Sequence, residues 1–134
     1  MRGVKIERLT GHRDPRGVVF EPLTSRMLRV GKVLNVHVAT MKPGAVRGNH
    51  RHLAATEYVC FSGHIKLVVQ DRMGRQEEIQ FQESECARVK IAPGIAHAFV
   101  NTGMSDTFIV CFVDRAGKSD RKERVPLISE IGHA

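Results

Sequence analysis

The sequence has few aromatic residues and no long apolar run. It contains no tryptophan, one tyrosine and 5% aromatic residues overall, so its core must rely on aliphatic and β-branched side chains, which favour strands. The longest uninterrupted apolar run, Phe108 to Val113, has six residues, far fewer than a membrane-spanning helix needs. The first five residues lead into no signal-peptide core. We therefore expect a soluble, cytoplasmic protein.

Cysteine is also scarce. The three residues, Cys60, Cys86 and Cys111, are an odd number without paired spacing, and two of them lie in apolar, strand-like stretches. This pattern does not suit a disulfide framework, and no obvious activating base flanks any of the three. We interpret them as reduced thiols of the core.

Acidic residues are outnumbered by basic ones, 14 to 21, giving a formal net charge of +7 and a pI near 9.8. This excess favours an acidic partner, which by charge alone could be nucleic acid, an anionic membrane surface or a phosphorylated small molecule. The sequence lacks an aromatic-rich RNA-binding motif, a paired-cysteine zinc pattern and a helix-turn-helix pattern. We expect no nucleic-acid or membrane partner, and an anionic small-molecule substrate.

Many short alternating stretches separated by turn residues fill the first 114 residues, and no sustained helical pattern is visible. Residues 4–9, 64–70 and 87–91 alternate with period two, and residues 71–75 have hairpin-loop chemistry. In a chain of 134 residues, enough for one domain, this pattern predicts an all-β antiparallel sandwich or barrel.

Two further stretches carry specific expectations. In residues 33–40, the side chains of Leu34, Val36 and Val38 share one parity, which predicts that they face the core and that His37 faces away. Residues 115–134 are predicted to be a charged loop and C-terminal segment of the same domain. Within them, residues 117–124 carry six charged side chains and are expected to be solvated, whereas residues 125–131 could dock on the barrel or on a second subunit.

Three histidines and one glutamate are the candidate metal ligands. His50 and His52 lie two residues apart, so both imidazoles project from the same face of a strand. Glu57 follows after an odd offset, which requires a turn at residues 54–56. His97 follows a Pro-Gly turn. Because buried ionisable groups are costly unless they are paired or bind metal, we predict one divalent ion on these four side chains, whether Zn, Fe, Mn, Ni or Co.

These residues carry a family resemblance. The spacing of Gly44, His50, His52, Glu57 and Gly63 resembles the first cupin motif, in which two histidines and a glutamate hold a metal. Residues 93–97, followed by Asn101, resemble the second motif, which supplies the third histidine. The resemblance implies a cupin-type jelly roll, or double-stranded β-helix, with the metal inside the barrel mouth.

A closer resemblance bears on function. Residues 14–21 and 42–50 are similar to the nucleotide-sugar epimerase and ketoisomerase branch of cupins, while His52 and Glu57 look most like the metal-bearing cupin domain of capsular-polysaccharide sugar enzymes. This implies epimerisation or isomerisation of a nucleotide-linked keto sugar.

The resemblance also implies roles for individual residues. His50 would be the base only if it is not a metal ligand, and Arg47, Arg16 and Arg51 are candidates to hold the diphosphate. The single tyrosine, Tyr58, lies within the first motif and not where deoxysugar 3,5-epimerases carry their acid, so a rhamnose-type 3,5-epimerase is not favoured.

Two other functions fit the same residues: a metal-dependent dioxygenase acting on a small molecule, and a non-catalytic binder of a sugar or another small ligand. We also expect a homodimer, because barrel edges and the apolar C-terminal segment need to be covered.

Overall fold

The computed structural model of the protein describes residues 1–29 and 33–129. The end of the predicted C-terminal segment, residues 130–134, lies outside the described residues. Within the described ranges the elements, in chain order, are β1 (Val4–Leu9), β2 (His12–Asp14), β3 (Gly17–Val19), α1 (Ser25–Arg29), β4 (Asn35–Met41), β5 (Val46–His52), β6 (Glu57–Ser62), β7 (Ile65–Gln70), β8 (Gln76–Phe81), β9 (Cys86–Ile91), β10 (Ala96–Asn101), β11 (Thr107–Val113), a 3-10 helix (Gly117–Ser119) and β12 (Lys122–Arg124).

The strands form two five-stranded antiparallel sheets and one small hairpin. The first sheet has the order β1-β9-β6-β11-β4, the second has the order β12-β5-β10-β7-β8, and β2 pairs with β3. Strands far apart in sequence are neighbours in both sheets, as in a jelly roll. The predicted all-β cupin-type jelly roll is therefore confirmed. Among the described residues there is no helix long and apolar enough to span a membrane.

An apolar core lies between the two sheets. The Phe61 ring packs edge-on against Phe81 and Phe99, with ring centroids 4.9 and 5.8 Å apart. Each fully buried phenylalanine contributes about 1.5–3 kcal/mol through removal from water. All three cysteines are buried and free, as predicted. The His97 ring lies 6.1 Å from that of Phe99, so the core borders the histidine cluster directly.

The side chains of strand β4 face the opposite way from the prediction. Val36 and Val38 lie on the outer face and are 52% and 59% exposed, whereas His37 lines a cavity between the sheets. The antiparallel register explains this, because His37 is paired with Cys111, whose side chain is 4% exposed. The prediction for β4 was therefore wrong, and its apolar stripe lies on the outside of the barrel.

A β-bulge interrupts β5 just before the histidines. His50 pairs with His97 and Gly48 pairs with Ala98, so Asn49 is the additional residue of the bulged strand. Gly48 has φ +99°, and a Cβ atom there would lie 2.7 Å from the carbonyl oxygen of His97. Only glycine fits this position. Because of the bulge, Arg47 and His50 face the same cavity although they are three residues apart.

The charged C-terminal segment, as far as residue 129, is in contact with the barrel. Its side chains are largely exposed, as expected, but its backbone forms a 3-10 helix and strand β12, which pairs with β5 as an additional edge strand. The expected solvated loop was therefore wrong for the backbone. Leu127 and Ile128 donate backbone hydrogen bonds to the side-chain oxygen of Asn49, at 3.0 and 3.1 Å, so the segment docks on the barrel of its own chain.

Candidate metal centre and adjoining cavity

The structure brings together the four predicted ligands. His50 and His52 lie on β5, Glu57 begins β6 after the predicted turn, and His97 is the second residue of β10. One potential ligand atom from each residue lies within 4.8 Å of the others. The site therefore spans both sheets, because β5 and β10 belong to one sheet and β6 to the other.

Glu57 lies between two of the imidazoles. Its Oε1 is 3.1 Å from Nε2 of His97, and its Oε2 is 3.5 Å from Nε2 of His52. Glu57, His52 and His97 are only 1–3% exposed, whereas His50 is half-buried. The rings of His52 and His97 are nearly parallel, and His50 stands edge-on to both. His50 is thus the member of the cluster that solvent or a ligand can reach.

The Nδ1 atoms of His52 and His97 each lie beside an oxygen that accepts a hydrogen bond. Nδ1 of His97 lies 3.2 Å from the carbonyl oxygen of Ile95, and Nδ1 of His52 lies 2.6 Å from Oδ1 of Asp120. A carbonyl or carboxylate oxygen can only accept, so both Nδ1 atoms carry the proton. Nε2 of His52 is buried and makes no hydrogen bond. An unsatisfied buried nitrogen beside a carboxylate and two further imidazoles fits the ligand set of a divalent metal.

Burial and mutual contact shift the pKa values of the cluster. Burial raises the pKa of Glu57, but the imidazoles of His52 and His97 beside it outweigh this effect and hold that pKa well below its usual range. Burial lowers the pKa of His52, but Glu57 and Asp120 outweigh it, so the pKa is raised. Burial, and after it the electrostatic effect of His97, lower the pKa of His50 from 6.5 to about 4. His50 is therefore neutral near pH 7.

A cavity of about 140 Å³ adjoins the cluster between the sheets. Its polar or titratable lining consists of His37, Arg47, His50, Glu57, His97 and Cys111, and its apolar lining includes Val59, Phe99 and Ile109. Sequence reasoning missed His37. The only signal for His37 was that it lies on the same face of the strand as Ala39 and Met41. Leu34, Val36 and Val38, on the opposite face, are more apolar and suggested the wrong orientation. Asp120 was also missed, because nothing distinguishes it from its charged neighbours in the sequence.

The three predicted arginines are in different places. Arg47 lines the cavity, and its guanidinium donates to the carbonyl oxygen of Thr40 at 2.8 and 3.2 Å. Arg16 lies in the β2–β3 hairpin and forms an ion pair with Asp14 at 2.7 Å. Arg51 forms an ion pair with Glu123 at 3.1 Å. Of the three, only Arg47 lines the cavity that adjoins the histidine cluster.

The lowered pKa of His50 predicts a pH-dependent stability of the metal-free protein. Between pH 6.5 and 4.5, the unfolded chain protonates this histidine and the folded chain does not, so the free energy of unfolding falls as the pH falls. The contribution of His52, whose pKa is raised, changes mainly near its unfolded value of 6.5, and that of Glu57, whose pKa is lowered, mainly near its unfolded value of 4.5, so the middle of this window reports His50. Urea unfolding of chelator-treated protein should show the decline, and His50→Gln should reduce it. Equal pH slopes for both proteins would contradict this assignment.

Solved structures with the same fold include several sugar-modifying enzymes. The chain aligns with a dTDP sugar isomerase from Desulfovibrio desulfuricans (TM-score 0.80, 20% identity, 93% of this chain and 85% of that one). It aligns with ChmJ, a 3'-monoepimerase from Streptomyces bikiniensis in complex with dTDP-quinovose (TM-score 0.74, 24% identity, 92% and 69%). It also aligns with part of CapF, a capsular polysaccharide assembling protein from Staphylococcus aureus (TM-score 0.61, 22% identity, 68% and 26%).

Comparison by sequence is informative at the level of the family. No curated protein matches the chain significantly. The model of the polysaccharide biosynthesis C-terminal domain family matches residues 12–123, a range that contains all four candidate ligands, Arg47, His37 and Asp120. The chain therefore belongs to the polysaccharide biosynthesis C-terminal domain family.

Proposed function

We propose that this protein is an epimerase or isomerase that acts on a nucleotide-linked keto sugar and uses one divalent metal ion. The observation that carries the proposal is the cavity, which brings an accessible imidazole, a guanidinium and a buried cluster of three histidines and a glutamate to one place. Relatives in fold named as a dTDP sugar isomerase and a 3'-monoepimerase support the substrate class.

The metal would be held by His50, His52, Glu57 and His97. Imidazole and carboxylate ligands suit Zn, Fe, Mn, Ni or Co and do not select among them. A divalent ion bound there would supply Lewis acidity suited to polarising a carbonyl group. The support for the ion is the buried, unsatisfied Nε2 of His52 beside Glu57.

Metal content provides a direct test. Protein purified without added metal should contain close to one equivalent of a divalent ion by elemental analysis. The double change His50→Ala, His52→Ala should abolish binding, because it removes half of the donors. Replacing His12 and His64, which lie outside the cluster, is the matched control and should leave the metal content unchanged. Retention of the ion by the first variant would overturn the site.

His37 is the best candidate for the base if His50 holds metal. Among the side chains that line the cavity, the guanidinium of Arg47 offers only donors, and burial raises the pKa of the Cys111 thiol. Glu57, His50 and His97 belong to the metal cluster. His37 alone is an exposed imidazole outside that cluster, and one of its nitrogens lies within 4.8 Å of Glu57 and Cys111. A substrate in the cavity could therefore reach it.

In the proposed step, His37 accepts the proton from the carbon next to the keto group. The electrons of the broken C–H bond form the C=C bond of an enolate, and the carbonyl electrons move to its oxygen. A proton delivered to the opposite face of the carbon gives the epimer. Where that carbon carries a hydroxyl group, transfer of the hydroxyl proton to the enolate oxygen, followed by proton delivery to the former carbonyl carbon, gives the isomeric ketone. The guanidinium of Arg47 and the net charge of +7 would favour binding of the diphosphate.

Proton exchange in heavy water tests this function. With a dTDP-linked 4-keto sugar, the wild-type protein should incorporate deuterium next to the keto group even when net conversion is small. His37→Gln should slow incorporation about 100-fold or more while retaining the metal, because positioned proton transfer contributes on that order. His64→Gln is the matched control, since His64 is 40% exposed outside the cavity, and it should exchange normally.

The other outcomes of this experiment discriminate the alternative functions. No incorporation across a panel of nucleotide-linked 4-keto sugars would overturn the enzyme proposal. Oxygen uptake with Fe(II) would indicate the dioxygenase instead. Saturable sugar binding without exchange or oxygen uptake would indicate the non-catalytic binder.

We also propose that the protein is a homodimer in which a second copy covers the outer face of β4. Leu34, Val36, Val38 and Phe108 are 52–64% exposed there, a concentration of apolar side chains that is costly in water. Among the described residues β4 is the last strand of its sheet, so one of its edges has no partner strand. Two such edges can pair about a two-fold axis.

Light scattering should give the mass of a dimer at micromolar concentration. Val36→Lys and Val38→Lys together should shift the protein to monomer, because they place charge in the apolar contact. Glu78→Lys on β8, in the other sheet, is the matched control and should leave the mass unchanged. A wild-type monomer, or a variant that stays dimeric, would contradict this interface.

A further inference from the structure

The segment of residues 117–129, called here the C-terminal strap, is attached to the strand that carries two candidate ligands. Lys122 pairs with His52 and Arg124 with His50 in the β12–β5 ladder. On either side of the ladder, the Leu53 amide donates to the Arg121 carbonyl at 2.9 Å, and the Val125 amide donates to the Asn49 carbonyl at 2.8 Å. Backbone hydrogen bonds therefore hold the strap against β5.

One side chain of the strap reaches into the cluster. Oδ1 of Asp120 lies 2.6 Å from Nδ1 of His52, and the two side chains are 8% and 2% exposed. A short contact between a carboxylate and an imidazole N–H is a charge-assisted hydrogen bond, and it is protected here from competing water. It fixes the proton on Nδ1 and the ring orientation, so that the lone pair of Nε2 faces the other three candidate ligands.

We propose that Asp120 is a positioning residue for the metal centre, which it serves by holding His52 in the tautomer and orientation that present Nε2 to the ion. This inference rests on the proposed metal site. The two observations behind it are independent: the Asp120–His52 hydrogen bond on one side of the ring, and the buried Nε2 without a hydrogen bond on the other. Mutation of a carboxylate that holds a ligand histidine in this way typically weakens metal binding about 10- to 100-fold.

A consequence follows for the strap. Because Asp120 belongs to the strap and His52 to the cluster, metal binding and strap docking each favour the other by the same factor. Ion binding should therefore protect the backbone amides of β12 from hydrogen exchange more than those of β8, which lies at the far edge of the same sheet.

The test compares three variants with the wild-type protein. Asp120→Ala removes the acceptor. Asp120→Asn keeps an oxygen that can accept from Nδ1–H but removes the charge. Glu123→Ala is the matched control, because Glu123 is also an acidic residue of the strap, but it pairs with Arg51 and not with a candidate ligand. The metal affinity of each is measured by competition between Zn²⁺ or Co²⁺ and a chromophoric chelator.

We expect Asp120→Ala to weaken metal binding about 10- to 100-fold, Asp120→Asn to fall between it and wild type, and Glu123→Ala to bind as wild type. A second readout uses metal-free protein at a pH above the raised pKa of His52, where that ring carries a single proton. Long-range proton–nitrogen spectra should show His52 protonated on Nδ1 in wild type and a mixture of tautomers in Asp120→Ala. A role in strap docking alone would not affect the tautomer in this way.

The outcomes separate this inference from the proposed function. If wild-type protein binds no metal, the metal proposal fails, and the tautomer spectra still decide whether Asp120 positions His52. If wild-type protein binds metal and Asp120→Ala binds it within threefold as tightly, the positioning role is overturned. An equal loss in Glu123→Ala would also overturn it, because the effect would then belong to the charge of the strap. If Asp120→Ala does not fold, the metal affinity of Asp120→Asn decides instead: weaker binding than wild type supports the positioning role, and equal binding overturns it.

Discussion

A carboxylate that is 3% exposed is stable in its ionised form only if donors or positive charge lie beside it, and this requirement at Glu57 organises one end of the barrel. The side chain begins β6, in one sheet, while its imidazole neighbours lie on β5 and β10, in the other. The two sheets therefore meet at this point through polar contacts, beside a core in which apolar side chains of both sheets pack together.

The cluster has an ordered and an accessible side. His52 and His97 are held by acceptors on their Nδ1 atoms, and both direct Nε2 toward Glu57. His50 is half-buried and lines the cavity instead. A site arranged in this way fixes most of its donors before any ligand arrives, which lowers the cost of ordering them on binding. The accessible His50 lines the same cavity as His37 and Arg47.

Local patterns in the sequence predicted the strands, the turn after His52 and the four clustered side chains, because alternation and turn chemistry are encoded by neighbouring residues. The facing of β4 was not predictable in this way. Alternation shows that two faces differ but not which one is covered, and the exposed Val36 and Val38 show that the more apolar face can be the outer one. The role of Asp120 could not be predicted from local patterns either, because its contact with His52 joins residues 68 apart in the chain.

The bulge in β5 has a consequence for how this barrel can vary in evolution. Because Asn49 is an extra residue in the ladder, its removal would restore regular pairing and leave Arg47, His50 and His52 on the same face. The insertion therefore does not disturb the ligands, and its amide side chain binds the backbone of Leu127 and Ile128. A homologue without the additional residue could keep the histidine cluster but would lose this anchor. Homologues that have the additional residue in β5 should thus also be those whose C-terminal segment docks on the barrel.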